Sequence, residues 1–247
     1  MSRLFAAELL KLMTLRFTWG IWLVGLLFAG LVTAGNIGGT SVGDRLDPEF
    51  QFRILLDGAV PASILALLMG IILVTNEFRH GTIARSLLAT PRRARFVAVK
   101  LLAGAAVGAG LMLGMLVVIV VTATIWLGLL DVPLAFGEGL DGLGRALLVA
   151  TLAGIFGAAI GGAVHSQVAA LVGALVWMFV LEPICWVILG ILDLDGAAKY
   201  LPAASLGGTV DSNGDGLAWA RSVGVTMAWA ALAAILAVVR TNRRDIT

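Results

Sequence analysis

Apolar residues along this chain come in long unbroken blocks. They do not alternate, and they do not recur in the three-to-four-residue stripe of a helix with one wet face. Six blocks approach or exceed the roughly 20 residues a helix needs to cross hydrocarbon. They lie near 17–34, 60–75, 101–127, 143–164, 168–191 and 217–239. The second is short, and lengthens if it starts at Ile54 with Asp57 among the headgroups. The third is apolar from Phe96 onward, too long for one perpendicular crossing, so residues 96–100 are assigned to the interface and the span begins at Leu101. Residues 2–16 obey a different pattern. On a helix, Phe5, Leu9, Leu12 and Met13 share one side while Arg3, Lys11 and Thr14 fall on another, which predicts an amphipathic helix lying in the membrane interface. That stretch lacks the continuous apolar core and small-residue cleavage site of a secretory signal. Trp19, Trp126 and Trp219 fall near span ends, where amphipathic rings favour the headgroup layer, whereas Trp177 reads as an interior packing residue.

Composition agrees with the pattern. The chain has 247 residues, 60% hydrophobic and 13% charged, where a soluble domain is nearer half apolar and a quarter charged. So few charges could not coat a globule of this size. The prediction is an all-α integral membrane protein whose residues 1–247 form a single transmembrane domain. One cysteine, Cys185, excludes an intrachain disulfide.

Charge changes the picture by its placement. Twelve of the 17 basic residues fall on one side of the predicted membrane: Arg3, Lys11, Arg16, Arg79, Arg85, Arg92, Arg93, Arg95, Lys100, Arg240, Arg243 and Arg244. Arg45, Arg53, Arg145, Lys199 and Arg221 fall on the other, with most of the acidic residues. Positive loops stay in the cytoplasm, so both termini are expected there. The basic pI near 9.1 reflects this topology and not a nucleic-acid partner.

Candidate chemistry is sparse. The phosphate loop G-x-x-x-x-G-K-[ST] is absent, so no unaided nucleotide hydrolysis is expected. His80 and His165 lie far apart and outside any metal-ligand spacing, and G-x-S-x-G is missing. Gly104/Gly108, Gly110/Gly114 and Gly157/Gly161 each give a G-x-x-x-G spacing, which lets helices approach closely, either within the bundle or at a dimer seam.

The informative segment is 76–100. Glu77 leads it, Gly81-Thr82 can break and restart a helix with Thr82 as its cap, and Ile83, Leu87 and Leu88 make a short apolar face that Pro91 ends. On the residues alone it reads either as a rigid handle for a cytoplasmic partner or as an ordinary positive loop among lipid headgroups.

Glu77-Phe78-Arg79-His80-Gly81-Thr82-Ile83, then Pro91-Arg92-Arg93 and Lys100, resembles the loop between the second and third spans of permease subunits of the ABC-type-2 exporter family. The resemblance takes in Glu8-Leu9-Leu10-Lys11-Leu12, the six-span layout, and Leu181-Glu182-Pro183 with Tyr200-Leu201-Pro202. It implies a non-catalytic subunit that works as a dimer, with two cytoplasmic ATPase subunits beneath it holding the ATP and magnesium. It implies that the segment matching 77–90 is a coupling helix seated in the ATPase, with Glu77, Phe78, Arg79, Gly81, Thr82, Ile83, Arg85 and Leu87 at that contact. Arg92, Arg93, Arg95 and Lys100 are expected to anchor it at the membrane interface. The cargo expected of such a subunit in the cytoplasmic membrane is hydrophobic, lipidic, peptidic or drug-like.

Glu182 stands apart. Counted from Val168 at about 1.5 Å per residue it lies about 21 Å along the fifth span, past the middle of a hydrocarbon layer about 30 Å thick. An ionisable group at that depth reads either as part of a transport path or as a structural acceptor near a kink at Pro183. In the family it resembles, the following loop, with Tyr200 and Pro202, can dip back into the membrane, and the short apolar run 200–206 is compatible with that. Two other classes fit less well. A gradient-driven transporter would want several intramembrane charges and paired broken helices. A lipid-modifying enzyme would need a clustered acid, base or metal site.

Overall fold

The computed structural model describes residues 2–14, 16–41, 47–79, 81, 93–134, 140–207 and 218–242. Every regular element among them is helical: α1 (Ser2–Thr14), α2 (Arg16–Gly38), α3 (Pro48–Arg79), α4 (Arg93–Gly128), α5 (Leu140–Val164), α6 (Gln167–Val176), a π-helical turn (Trp177–Leu181), α7 (Glu182–Ile191), the short α8 (Asp195–Ala198) and α9 (Pro202–Gly207), and α10 (Trp219–Asn242). Six stretches are long and apolar enough to span a membrane: Thr18–Gly38, Pro61–Arg79, Ala94–Gly128, Gly142–Val164, Gln167–Ile191 and Trp219–Arg240. The chain is a multi-pass membrane protein with the expected order of spans.

Two boundaries differ from the sequence expectation. The second span is the end of a continuous 32-residue helix, so Glu77, Phe78 and Arg79 belong to its last turn and not to a separate segment. The third span belongs to a 36-residue helix that begins at Arg93, and Phe96, Val97 and Val99 are buried against the rest of the protein. Both helices extend because their flanking polar residues find partners inside the protein, which hydropathy alone does not register.

α3, α4 and α5 form the centre, and glycine is the reason they can. An added Cβ at Gly157 would lie 2.0 Å from the Leu67 carbonyl oxygen of α3, and one at Gly108 2.1 Å from that of Ala150 on α5. Gly104 and Gly154 meet backbone to backbone in the same way. Helices this close gain packing and weak Cα–H···O contacts that any side chain would forbid. The G-x-x-x-G pairs of α4 and α5 thus serve packing within this chain; Gly110 and Gly114 lie against Trp22 of α2. Around this centre, α2, the α6–α7 span and α10 turn large apolar side chains outward. The span windows of α3 and α5 are each 61% buried, while that of α6–α7 is only 6% buried.

Candidate functional site

The arginine-rich end of the bundle holds a closed ring of four charges. Lys11 Nζ lies 2.9 Å from Glu8 Oε1 and 2.9 Å from Glu77 Oε1. Lys100 Nζ lies 2.8 Å from the same Glu77 oxygen and donates to Glu8 Oε2. Signs alternate around the ring, and its net charge is zero. Glu8, Glu77 and Lys100 are 7%, 6% and 2% exposed, whereas the Lys11 head reaches the surface. Lys100 also sits 5.5 Å from the centre of the Phe96 ring, a cation–π distance. Charges buried this deeply are tolerated only when paired and hydrogen-bonded. The ring therefore fixes α1 to the end of α3 and the start of α4. Burial of the Lys11 stem acts to lower its pKa. Hydrogen bonds and Coulomb attraction from Glu77 and Glu8 outweigh that and hold the ammonium above the ordinary lysine value.

The neighbouring residues complete this end. Gly81 follows α3 with φ +63°, a left-handed conformation that closes the helix and that side chains disfavour; its N–H donates to Phe78 O at 3.4 Å. Phe78 meets the ring of His165 edge-on at 4.4 Å, and Arg79 donates to Gln167 at 3.3 Å. His165, at φ +60°, ends α5, and Ser166 caps α6 by accepting from Ala169 N–H. Arg240 of α10 donates to the Ala163 carbonyl at the end of α5, a favourable place for a cation.

The sequence-derived residues fall into three groups. Glu77 and Lys100 are brought together, facing inward, whereas Phe78 meets His165 and Arg79 and Gly81 are exposed. Arg95 is exposed on the first turn of α4. Thr82, Ile83, Arg85, Leu87 and Arg92 lie outside the described residues, as does the side chain of Arg93. The sequence reading missed Glu8 and Lys11 as partners of this site. The available signal was Glu8 itself, a carboxylate one turn before Leu12 on the buried face of α1.

Glu182 makes a second constellation deep in the fifth span. Its carboxylate, 3% exposed, accepts from Trp177 Nε1 at 2.8 Å, Ala203 N at 2.9 Å and Ala204 N at 2.6 Å. Pro183 has no N–H, and a π turn precedes it, where Glu182 N–H bonds Trp177 O. That wider turn brings the Trp177 indole to the carboxylate. The segment carrying α8 and α9 folds back beside the spans: Trp229 Nε1 donates to Tyr200 O at 2.9 Å, and Thr226 donates to buried Ser205 at 3.0 Å. Trp229 lies ten residues past the start of α10, about 15 Å along it. The loop after the fifth span thus re-enters the bundle, and Glu182 holds it there.

No group of His, Cys, Asp and Glu among the described residues could hold a metal ion. Comparison with family models and with curated proteins gives no match.

Proposed function

We propose that this chain is the membrane-spanning permease subunit of an ATP-driven exporter of the ABC-type-2 kind. It works as a dimer over two cytoplasmic ATPase subunits, which bind and hydrolyse the ATP. Both termini face the cytoplasm, and α1 lies along the inner membrane interface. The segment that leaves α3 at Gly81 is the handle. Glu77, Phe78 and Arg79 form its root, Thr82, Ile83, Arg85 and Leu87 its gripping face, and Arg92, Arg93 and Arg95 hold it at the headgroups. ATP binding draws the two partner subunits together and moves the handle, and the cavity between the two permease copies exchanges inward for outward access. The ATP-bound partner must interact differently with the two states, since a partner that treats both alike shifts neither. Cargo is hydrophobic, lipidic, peptidic or drug-like, consistent with the aliphatic walls of the spans.

The observation that carries this reading is the ring of Glu8, Lys11, Glu77 and Lys100 at the root of the handle. A push delivered just beyond Gly81 meets α1, α3 and α4 as one joined body, which suits a transmission element better than a passive loop. The test is co-purification of the tagged chain from its native membrane. A stoichiometric ATPase bearing a phosphate loop is expected, with no hydrolysis by the purified chain alone. Ile83→Arg should release that subunit, and transport sustained by the isolated chain in vesicles contradicts the reading.

A further inference from the structure

Behind the Glu182 constellation lies an apolar slot of about 330 Å³ between α5, α6, α9 and α10. Phe156, Ile160 and Val164 of α5, Trp229 and Leu236 of α10 and Leu206 of α9 are among the residues that line it. The lining runs from Phe156 to Val164 on α5 and from Trp229 to Leu236 on α10, nine and eight residues, so the slot follows the helices for about 10–12 Å. A volume of about 330 Å³ over that length has room for a hydrocarbon chain.

Three features fix the chemistry of its occupant. Both indoles in the wall have their N–H groups engaged elsewhere, Trp177 on Glu182 and Trp229 on the Tyr200 carbonyl, so they offer the slot only hydrocarbon faces. Among the described residues, no lining side chain offers a charged or hydrogen-bonding group to water or to an oriented polar solute, and binding sites for such solutes carry at least a few. The mouth is flanked by Gly173, Leu232 and Leu236, which also belong to the outward apolar surface of the spans. Whatever bathes that surface has access to the slot. In a multi-pass membrane protein that is the acyl region of the bilayer.

We propose that this slot is a binding site for one acyl chain of a membrane phospholipid, inserted between α6 and α10 against the re-entrant α9. The site does not depend on the exporter reading. It holds a chain by shape, and the Glu182 carboxylate maintains it by fixing Trp177 and α9 as two of its walls.

Gly173 supplies the probe, since it lines the slot and an added Cβ there meets nothing within 4 Å. The purified chain is reconstituted in phosphatidylcholine vesicles containing a phospholipid with a photoreactive diazirine midway along one acyl chain, and adducts are mapped by peptide mass spectrometry. Adducts should concentrate on the slot residues of α6 and α10 relative to Leu23 and Leu27 of α2, which are at least as exposed. Gly173→Leu should lower the slot adducts by about tenfold and leave those on α2 unchanged. The same diazirine on the headgroup should not label the slot. Even labelling of both faces, unaltered in Gly173→Leu, overturns the proposal. So does a slot free of adducts in which Gly173→Cys cross-links two copies, because a second copy would then be its occupant.

Discussion

Lys100 Nζ on α4 and Glu77 Oε1 on α3 stand 2.8 Å apart, both buried, across the segment that separates the second and third spans. Because Lys11 and Glu8 close the ring, each carboxylate touches two ammonium groups and each ammonium two carboxylates. Removing one member leaves a net buried charge, while removing one of each sign leaves a neutral pair. Lys100→Met is therefore expected to cost about 3 kcal/mol of stability. The double variant Glu8→Gln/Lys100→Met should cost less than Lys100→Met alone. Thermal unfolding in detergent checks this; a double-variant cost equal to the sum of the two single costs would show that the charges do not interact.

Lys11 lies outside the spans, and the ring raises its pKa above the ordinary value of 10.5. A raised lysine pKa gives stabilisation that is complete below the unfolded-state pKa and disappears as pH climbs through the folded-state one. The hold on α1 should be flat across neutral pH and weaken only in the alkaline range above 10.5. Protease access to α1 as a function of pH reads this out. Lys11→Met should remove the alkaline transition, and a transition that persists in that variant assigns it to another group.

Glu182 uses both oxygens on three N–H donors, and glutamine has one acceptor oxygen. Glu182→Gln should leave at least one buried donor unpaired and loosen α9 at a cost of about 1–3 kcal/mol. Thiol labelling at Ser205→Cys, in a Cys185→Ala background, should be slow with Glu182 and faster with glutamine. Equal labelling rates would show that the carboxylate does not hold the re-entrant segment.

The close helix contacts separate two glycines of the same type. Gly157→Ala forces a methyl group into the Leu67 carbonyl and should cost about 2 kcal/mol or more. Gly224→Ala on α10 meets nothing within 4 Å and should be neutral or stabilising by roughly 0.5–1 kcal/mol. Melting temperatures of the two variants give the comparison, and similar shifts would contradict the packing described.

Much of the fold was legible because hydrocarbon imposes length and apolarity on every span, and the six blocks carry both. The ends were not. Hydropathy reads Lys100 and Glu77 as reasons to stop a span, yet in pairs they continue the helices inward. The role of Glu182 divided in the same way. Its depth was countable along the helix, but its partners Ala203 and Ala204 are backbone groups some 20 residues away, and no side-chain pattern announces them. Trp177 looked like a packing residue because the π turn that aims its indole at Glu182 has no periodic signature.

The most direct test of the account is photocrosslinking from position 83 in intact cells, with a benzophenone amino acid in place of Ile83. A nucleotide-sensitive adduct to a cytoplasmic protein bearing a phosphate loop is the predicted result. Adducts only to proteins without such a loop, or labelling of that position by reagents confined to the outside of the cell, would contradict it.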